Sequence, residues 1–117
     1  MPAPHPVNRV VFSEAARADR REITDYTVER FGIGQGRRLR ANFARAVESL
    51  AATPRIGSLR EALDPPGRTF RYFMVMKRFV IVYQPTATGI RIARILHGMR
   101  NLAAELDRDA GDEGRGS

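Results

Sequence analysis

The sequence predicts a small α+β domain: a helical hairpin packed on one face of a small antiparallel sheet, in the order β-α-α-β-β-β with a short C-terminal helix. Three observations predict it. A β-forming run, Val10-Val11-Phe12, stands just before a serine and an acidic residue. Leu39, Phe43, Val47 and Leu50 recur at spacings of four, four and three, the period of one helix face. Three β-rich runs separated by turns of two to five residues then fill the second half of the chain, which is how antiparallel neighbours are connected.

Each element follows from local chemistry. Val7 to Phe12 reads as the first strand. Ser13 is placed to cap a helix, and Glu14 suits its positive end. That helix runs to about Arg30 or Phe31, with Ala16, Ile23, Tyr26 and Arg30 on one face. Gly32-Ile33-Gly34-Gln35-Gly36 reads as the break, and a second helix follows from about Arg37 to Ala52. Thr53-Pro54 ends it, because proline disfavours helix at the residue before it. A loop from Arg55 to Arg68 contains the turn Pro65-Pro66-Gly67. Strands are expected over Thr69 to Met76, Phe79 to Gln84, and Ile90 to Leu96 or His97. The second of these is almost continuously apolar, as a strand covered on both faces is. Lys77-Arg78 and the stretch from Pro85 to Gly89 are the turns between them. Gly98 stops the last strand, and Met99 to Leu106 reads as a short closing helix or turn. Residues 1–6 read as a flexible Pro-rich leader, 7–106 as the domain and 107–117 as a flexible tail.

Composition narrows the function classes. The chain has 117 residues, and no apolar run approaches the roughly 20 residues that cross a membrane. Without cysteine there is no disulfide framework or thiolate metal site, and the N-terminus lacks a signal-peptide pattern. A cytoplasmic protein is expected. Residues 1–106 hold 18 basic against 9 acidic side chains, or +9, while the whole chain is +7. Nineteen of the twenty basic residues are arginine, the exception being Lys77. Such a domain attracts polyanions or an acidic protein partner, and guanidinium forks suit phosphate and carboxylate. A GC-rich coding sequence accounts equally well for the Arg-to-Lys ratio, though not for the net charge. The helices are expected on one sheet face, leaving the other partly open. Arg71, Arg91 or Arg94 on that face would either bind a partner or be ordinary solvated side chains.

The motifs for chemistry are sparse. The glycines at 32, 34 and 36 follow a helix rather than a strand, and no Gly-Lys-Ser/Thr follows them, so a phosphate loop is not indicated. The two histidines, His5 and His97, belong to no metal-ligand cluster, so no metal and no cofactor is expected. His97, at a strand end, is either a structural residue bonding backbone or an acid, base or contact group. Metal-free RNA cleavage needs a base, an acid and cations. Arg68, Arg71, Lys77, Tyr83, His97 and Arg100 are of suitable types, although arginines are spread over the whole chain and Tyr83 also suits a core edge.

An ordered series of pieces resembles ParE-type toxins of the RelE/ParE superfamily. It consists of Ala16, Asp19, Ile23 and Tyr26 in the first helix, then Leu50, Pro54 and Gly57 at the exit of the second. Arg68-Thr69-Phe70-Arg71 and Phe79-Val80-Ile81-Val82-Tyr83 follow, and Ile95-Leu96-His97-Gly98-Met99-Arg100-Asn101 closes it. The resemblance spans residues 7–106. Arg20 stands where the family usually has leucine, Asn101 where aspartate is common, and the acidic tail after Leu106 is outside the pattern.

The resemblance implies two helices on a small antiparallel sheet, agreeing with the reading from periodicity. It also implies a cognate antitoxin, of ribbon-helix-helix type, whose acidic and apolar C-terminal segment wraps the toxin. Proteins of this type poison DNA gyrase by binding, without catalysing a reaction, and some stabilise plasmids. The alternative is a ribosome-dependent mRNA endonuclease, as RelE-like relatives are, with Arg68, Arg71, Tyr83, His97 and Arg100 as its residues. The His-Gly-x-Arg ending favours the gyrase reading. Partner contacts are expected at Arg71, Arg91, Arg94, His97 and Arg100. An inactive, antitoxin-bound remnant is a third reading.

Overall fold

The computed structural model describes residues 9–98 together with Leu106. The elements are β1 (Arg9–Phe12), α1 (Glu14–Phe31), α2 (Ile33–Ala52), β2 (Ser58–Leu59), a 3-10 turn (Glu61–Leu63), β3 (Arg71–Val75), β4 (Phe79–Pro85) and β5 (Gly89–His97). The five strands form one sheet in the order β1-β5-β4-β3-β2. The α+β architecture and the helical hairpin packed on a sheet are those the sequence predicts. The leader, the tail and nearly all of the expected closing helix lie outside the described residues.

Ser13 starts α1 as its composition suggests. Its Oγ accepts from the Ala16 N–H at 3.0 Å and donates to the Ala93 carbonyl at 2.6 Å, so one side chain caps the helix and ties it to β5. The hairpin break is shorter than the glycine run suggests. Gly32 alone leaves helical geometry, with φ 94°, a value that glycine adopts without steric cost. Gly34 and Gly36 are already inside α2. Gly36 must lack a side chain, because a Cβ there would strike Cγ2 of Val28 on α1. The helices thus cross closely at their joined ends.

The α2 stripe is as expected: Leu39, Phe43 and Leu50 are buried, Val47 is half-buried, and Ala46 and Ala51 extend the face. The stripe expected on α1 is only half present. Ala16 is buried and Ile23 half-buried, but Tyr26 is 54% exposed and Arg30 points to solvent. The other buried residue of α1 is Asp19.

The sheet is mixed rather than wholly antiparallel. β3, β4 and β5 form the expected meander, but β1 pairs parallel with β5, Arg9 opposite Gly89 through Phe12 opposite Ile92. The helical hairpin carries the chain to β2 at the far edge, and the strands then step back across the sheet, so the last strand lies beside β1 in the same direction. The expected loop contains β2, a two-residue strand paired antiparallel with β3. The β3–β4 turn has Met76 and Lys77 at φ 56° and 54°, with the Arg78 N–H on the Val75 carbonyl at 3.1 Å.

Both sheet faces carry a core. Phe79, Ile81, Tyr83, Ile90, Ile92 and Ile95 face the helices. The opposite face, expected to be partly open, has its own cluster of Phe70, Tyr72, Val80, Val82, Ala93 and Leu106, flanked by Leu63 and Leu96. The 3-10 turn and Leu106 supply its cover. This is why β4 is apolar from Phe79 to Tyr83: these residues are all buried.

Candidate partner-binding groove

The sheet edge at β1, the outer side of α1 and the middle of α2 enclose a groove of about 860 Å³. Its floor is apolar: Val10 and Phe12 from β1, Phe43 and Val47 from α2, and Ile95 from β5. Its rim is charged, with Arg20, Arg21 and Asp25 on α1 facing Arg40 and Glu48 on α2. The groove exists because α1 turns polar residues toward β1 at positions where a stronger apolar stripe would close against Phe12 and Phe43. Arg20 spreads over the Phe12 ring, 4.5 Å from its centroid, covering part of the floor while keeping its charge at the rim. β1 is an edge strand, so one side of its backbone is left outside the sheet ladder.

Asp19 fixes one wall. β1 ends at Phe12, opposite Ile92, so β5 runs on past its parallel neighbour. The Asp19 carboxylate stands where the next β1 residues would be. Its Oδ2 accepts the Ile95 N–H at 2.9 Å and Arg94 Nε at 2.6 Å, and its Oδ1 accepts Arg94 Nη2 at 2.8 Å. The two side chains are 10% and 13% exposed. A bulge between Val82 and Tyr83 of β4 makes this contact feasible. Val82 pairs with Arg94 and Tyr83 with Ile92, leaving Ala93 as the extra residue in β5.

The residues singled out from sequence do not gather into one cluster. Tyr83 is fully buried, donating to the Pro54 carbonyl at 2.7 Å and accepting from the Gly57 N–H at 2.9 Å. Burial raises the pKa of its phenol, partly countered by the Gly57 hydrogen bond and the charge of Arg71. Arg71 pairs in register with Tyr83 and donates to the carbonyls of Gly57 at 2.7 Å and Arg55 at 3.1 Å. Tyr83 and Arg71 together hold the segment that leaves α2. Gly57 lacks a side chain for the same reason: a Cβ there would lie 2.5 Å from the Tyr83 hydroxyl.

Arg91 lies on the second sheet face, and burial first and the nearby Arg68 second lower its pKa. Arg68 covers the Phe70 ring at 5.2 Å. His97 is exposed at the end of β5, its ring 5.2 Å from that of Phe79. Lys77 sits in the β3–β4 turn, and Arg100 is outside the described residues. Arg71, Arg91 and Arg94 therefore do not share one open face. Arg71 reaches the loop after α2, Arg94 reaches α1, and Arg91 alone projects over the second cluster. The groove itself is not visible in the sequence, since it joins four elements whose residues lie up to 85 positions apart. The available signal was the weak apolar stripe of α1.

The family model for the ParE toxin of the type II toxin–antitoxin system parDE matches residues 10–102. The chain belongs to the ParE toxin family. It is 31% identical over 100 residues to Toxin ParE1 of Mycobacterium tuberculosis, in strains CDC 1551 / Oshkosh and H37Rv alike. That alignment covers 85% of this chain and 98% of the relative. In fold, this ParE-family chain is similar to a chain of the chromosomal ParDE TA system from P. aeruginosa. The TM-score is 0.64 at 21% identity, over 81% of this chain and 99% of that one. A toxin of a type II toxin–antitoxin system has an antitoxin as its partner. Among the described residues no helix is long and apolar enough to cross a membrane.

Proposed function

We propose that this ParE-family toxin inhibits DNA gyrase and that its cognate antitoxin silences it by seating an acidic, apolar segment in the groove between β1, α1 and α2. The observation that carries the antitoxin part is the pairing of an apolar floor with a guanidinium-bearing rim beside an edge strand. An amphipathic segment buries its apolar side on Phe12, Phe43 and Val47. Its acidic side chains meet Arg20, Arg21 and Arg40, and its backbone has the β1 edge to pair with. The body charge of +9 speeds capture of such a segment. An antitoxin of ribbon-helix-helix type would supply it as a C-terminal extension.

The target contact is proposed at the far end of β5, where exposed His97 precedes Gly98 and Arg100. Arg71 and Arg94, expected from sequence as partner contacts, act in this reading through the loop after α2 and through Asp19. Arg91 belongs to the second sheet face. Binding without catalysis is favoured because the alternative endonuclease set is dispersed and Tyr83 is fully buried with its hydroxyl engaged twice. The test sets purified toxin against gyrase supercoiling and, in parallel, against ribosome-programmed mRNA. Loss of supercoiling with intact mRNA is expected. Cut mRNA with unaffected gyrase overturns the proposal.

A further inference from the structure

The two helices carry charge very differently. α1 mixes four arginines with five acidic residues, whereas α2 has four arginines and one acid, Glu48. Arg40 lines the groove, as does Glu48. The other three, Arg37, Arg38 and Arg45, are exposed on the outward side of α2, away from the buried stripe of Leu39, Phe43, Ala46 and Leu50. None of the three has a carboxylate partner among the described residues. Helix stability does not account for this set. No arginine of α2 has an acidic residue four positions away, and the first turn holds no acid, the reverse of what side-chain pairing and the helix dipole favour.

Asn42 gathers these cations. Its Nδ2 donates to the Arg38 carbonyl at 2.9 Å, and its Oδ1 accepts Arg45 Nη2 at 3.1 Å. The Arg45 guanidinium is thereby drawn back along the helix to the level of Asn42, one turn from Arg38. The other residues of the face select the partner. Ala41 stands between Arg37 and Arg45, and Ser49 one turn beyond Arg45; both are exposed. A protein interface is anchored by large aromatic or aliphatic side chains, and unpaired bases stack on aromatic rings. This face offers neither over residues 37–49. It fits an anionic backbone that needs only cations and close approach.

We propose that the outward face of α2 binds the phosphate backbone of duplex DNA through Arg37, Arg38 and Arg45, without reading its sequence. The three arginines span about 12 Å of helix, and a duplex carries about seven phosphates over that length, so each guanidinium has a phosphate to meet. Small Ala41 between them lets the helix lie close to the strand. The body charge of +9 draws the duplex in, and the unpaired arginines of α2 give it one place to settle. The face shares neither the floor of the groove nor the end of β5, so the inference needs neither the antitoxin nor the gyrase reading.

The test is binding of a duplex of about 16 base pairs to the full chain between about 50 and 200 mM salt. Two triple variants are compared with the parent. Arg37→Gln/Arg38→Gln/Arg45→Gln neutralises the face, and Arg55→Gln/Arg60→Gln/Arg78→Gln removes the same charge from exposed positions elsewhere. The first should bind about tenfold more weakly or worse at 100 mM salt, with a log–log salt slope shallower by about 2.7, the value for three lost phosphate contacts. The second should change the slope by less than about 1. Equal weakening by the two variants overturns the proposal, because net charge alone would then explain binding. So does a parent chain that binds no duplex, or one that binds a single strand of the same length more tightly. Binding of a glutamate-rich peptide in place of the duplex overturns it in favour of an acidic protein partner. Amide shifts of the parent chain on adding duplex give a readout that needs no variant. The largest are expected within residues 37–49, and largest shifts in β3 to β5 overturn the proposal.

Discussion

Replacing Asp19 by alanine is expected to be among the most damaging single changes in this fold. The substitution removes three acceptor contacts, two to Arg94 at 2.6 and 2.8 Å and one to the Ile95 N–H at 2.9 Å. The Arg94 guanidinium, in a side chain only 13% exposed, loses the Asp19 carboxylate, and the buried Ile95 N–H loses the acceptor that Asp19 provides beyond the end of β1. Breaking a buried ion pair from one side costs about 3–5 kcal/mol. Against a total stability of about 5–15 kcal/mol for a domain, that is a large share. A melting point lower by about 12–20 °C follows, taking roughly 4 °C per kcal/mol at this size. Urea denaturation of the single and double variants is the appropriate assay. Arg94→Leu also leaves Asp19 holding Ile95, so it should cost less than Asp19→Ala. The Asp19→Ala/Arg94→Leu protein should be more stable than the two single costs added together, with a coupling of about 2 kcal/mol or more. An Asp19→Ala protein within about 1 kcal/mol of the parent, or additive single effects, would refute the placement of Asp19 as the link between α1 and β5.

Three further outcomes follow from the packing. Gly34 and Gly36 are both in the first turns of α2, yet only Gly36 faces Val28, while a Cβ at Gly34 meets nothing within 4 Å. Gly34→Ala should therefore stabilise by about 0.5–1 kcal/mol and Gly36→Ala should destabilise, a sign difference readable from denaturant midpoints. Tyr83→Phe strands the Gly57 N–H and the Pro54 carbonyl, and should cost about 1–3 kcal/mol. A melting point unchanged by that substitution would contradict the hydroxyl's role in holding the α2 exit. Tyr72 donates to Asp64 at 2.7 Å, and burial, with Asp64, raises its pKa; burial raises that of Tyr83 as well. A raised folded pKa means that the folded state keeps its protons longer. The stability these phenols contribute is present below the ordinary tyrosine value of about 10 and declines as pH rises above it. Melting points should fall above pH about 10, with phenolate absorbance of these two residues rising together with unfolding. Phenolate formation by both in the still-folded protein would refute their burial.

Much of the fold was legible because its signals are local. Ser13 and Glu14 mark the start of α1, Leu39-Phe43-Val47-Leu50 mark α2, and the apolar run from Phe79 to Tyr83 marks a strand covered on both faces. What was not legible depends on contacts between distant segments. Nothing in Arg9 to Phe12 specifies a parallel partner 80 residues away. Ser58–Leu59 is too short to show alternation and exists only because β3 offers an edge. The glycines at 32, 34 and 36 look alike in sequence, and only the approach of Val28 separates the turn from the helix. The candidate site suffered most, for the same reason. Arginine occurs along the whole chain, so type alone could not distinguish Arg94, locked on Asp19, from Arg20, spread over Phe12 at the groove.

The most direct test of the central claim is gyrase supercoiling by the parent toxin and by Ala44→Glu, each with and without the antitoxin. Ala44 is exposed on α2 and lines the groove, so the new carboxylate repels an acidic segment without entering the core. Both toxins should inhibit supercoiling, and the antitoxin should restore it fully only for the parent. Equal restoration for both would contradict the groove as the antitoxin's seat, and no inhibition by either would contradict gyrase as the target.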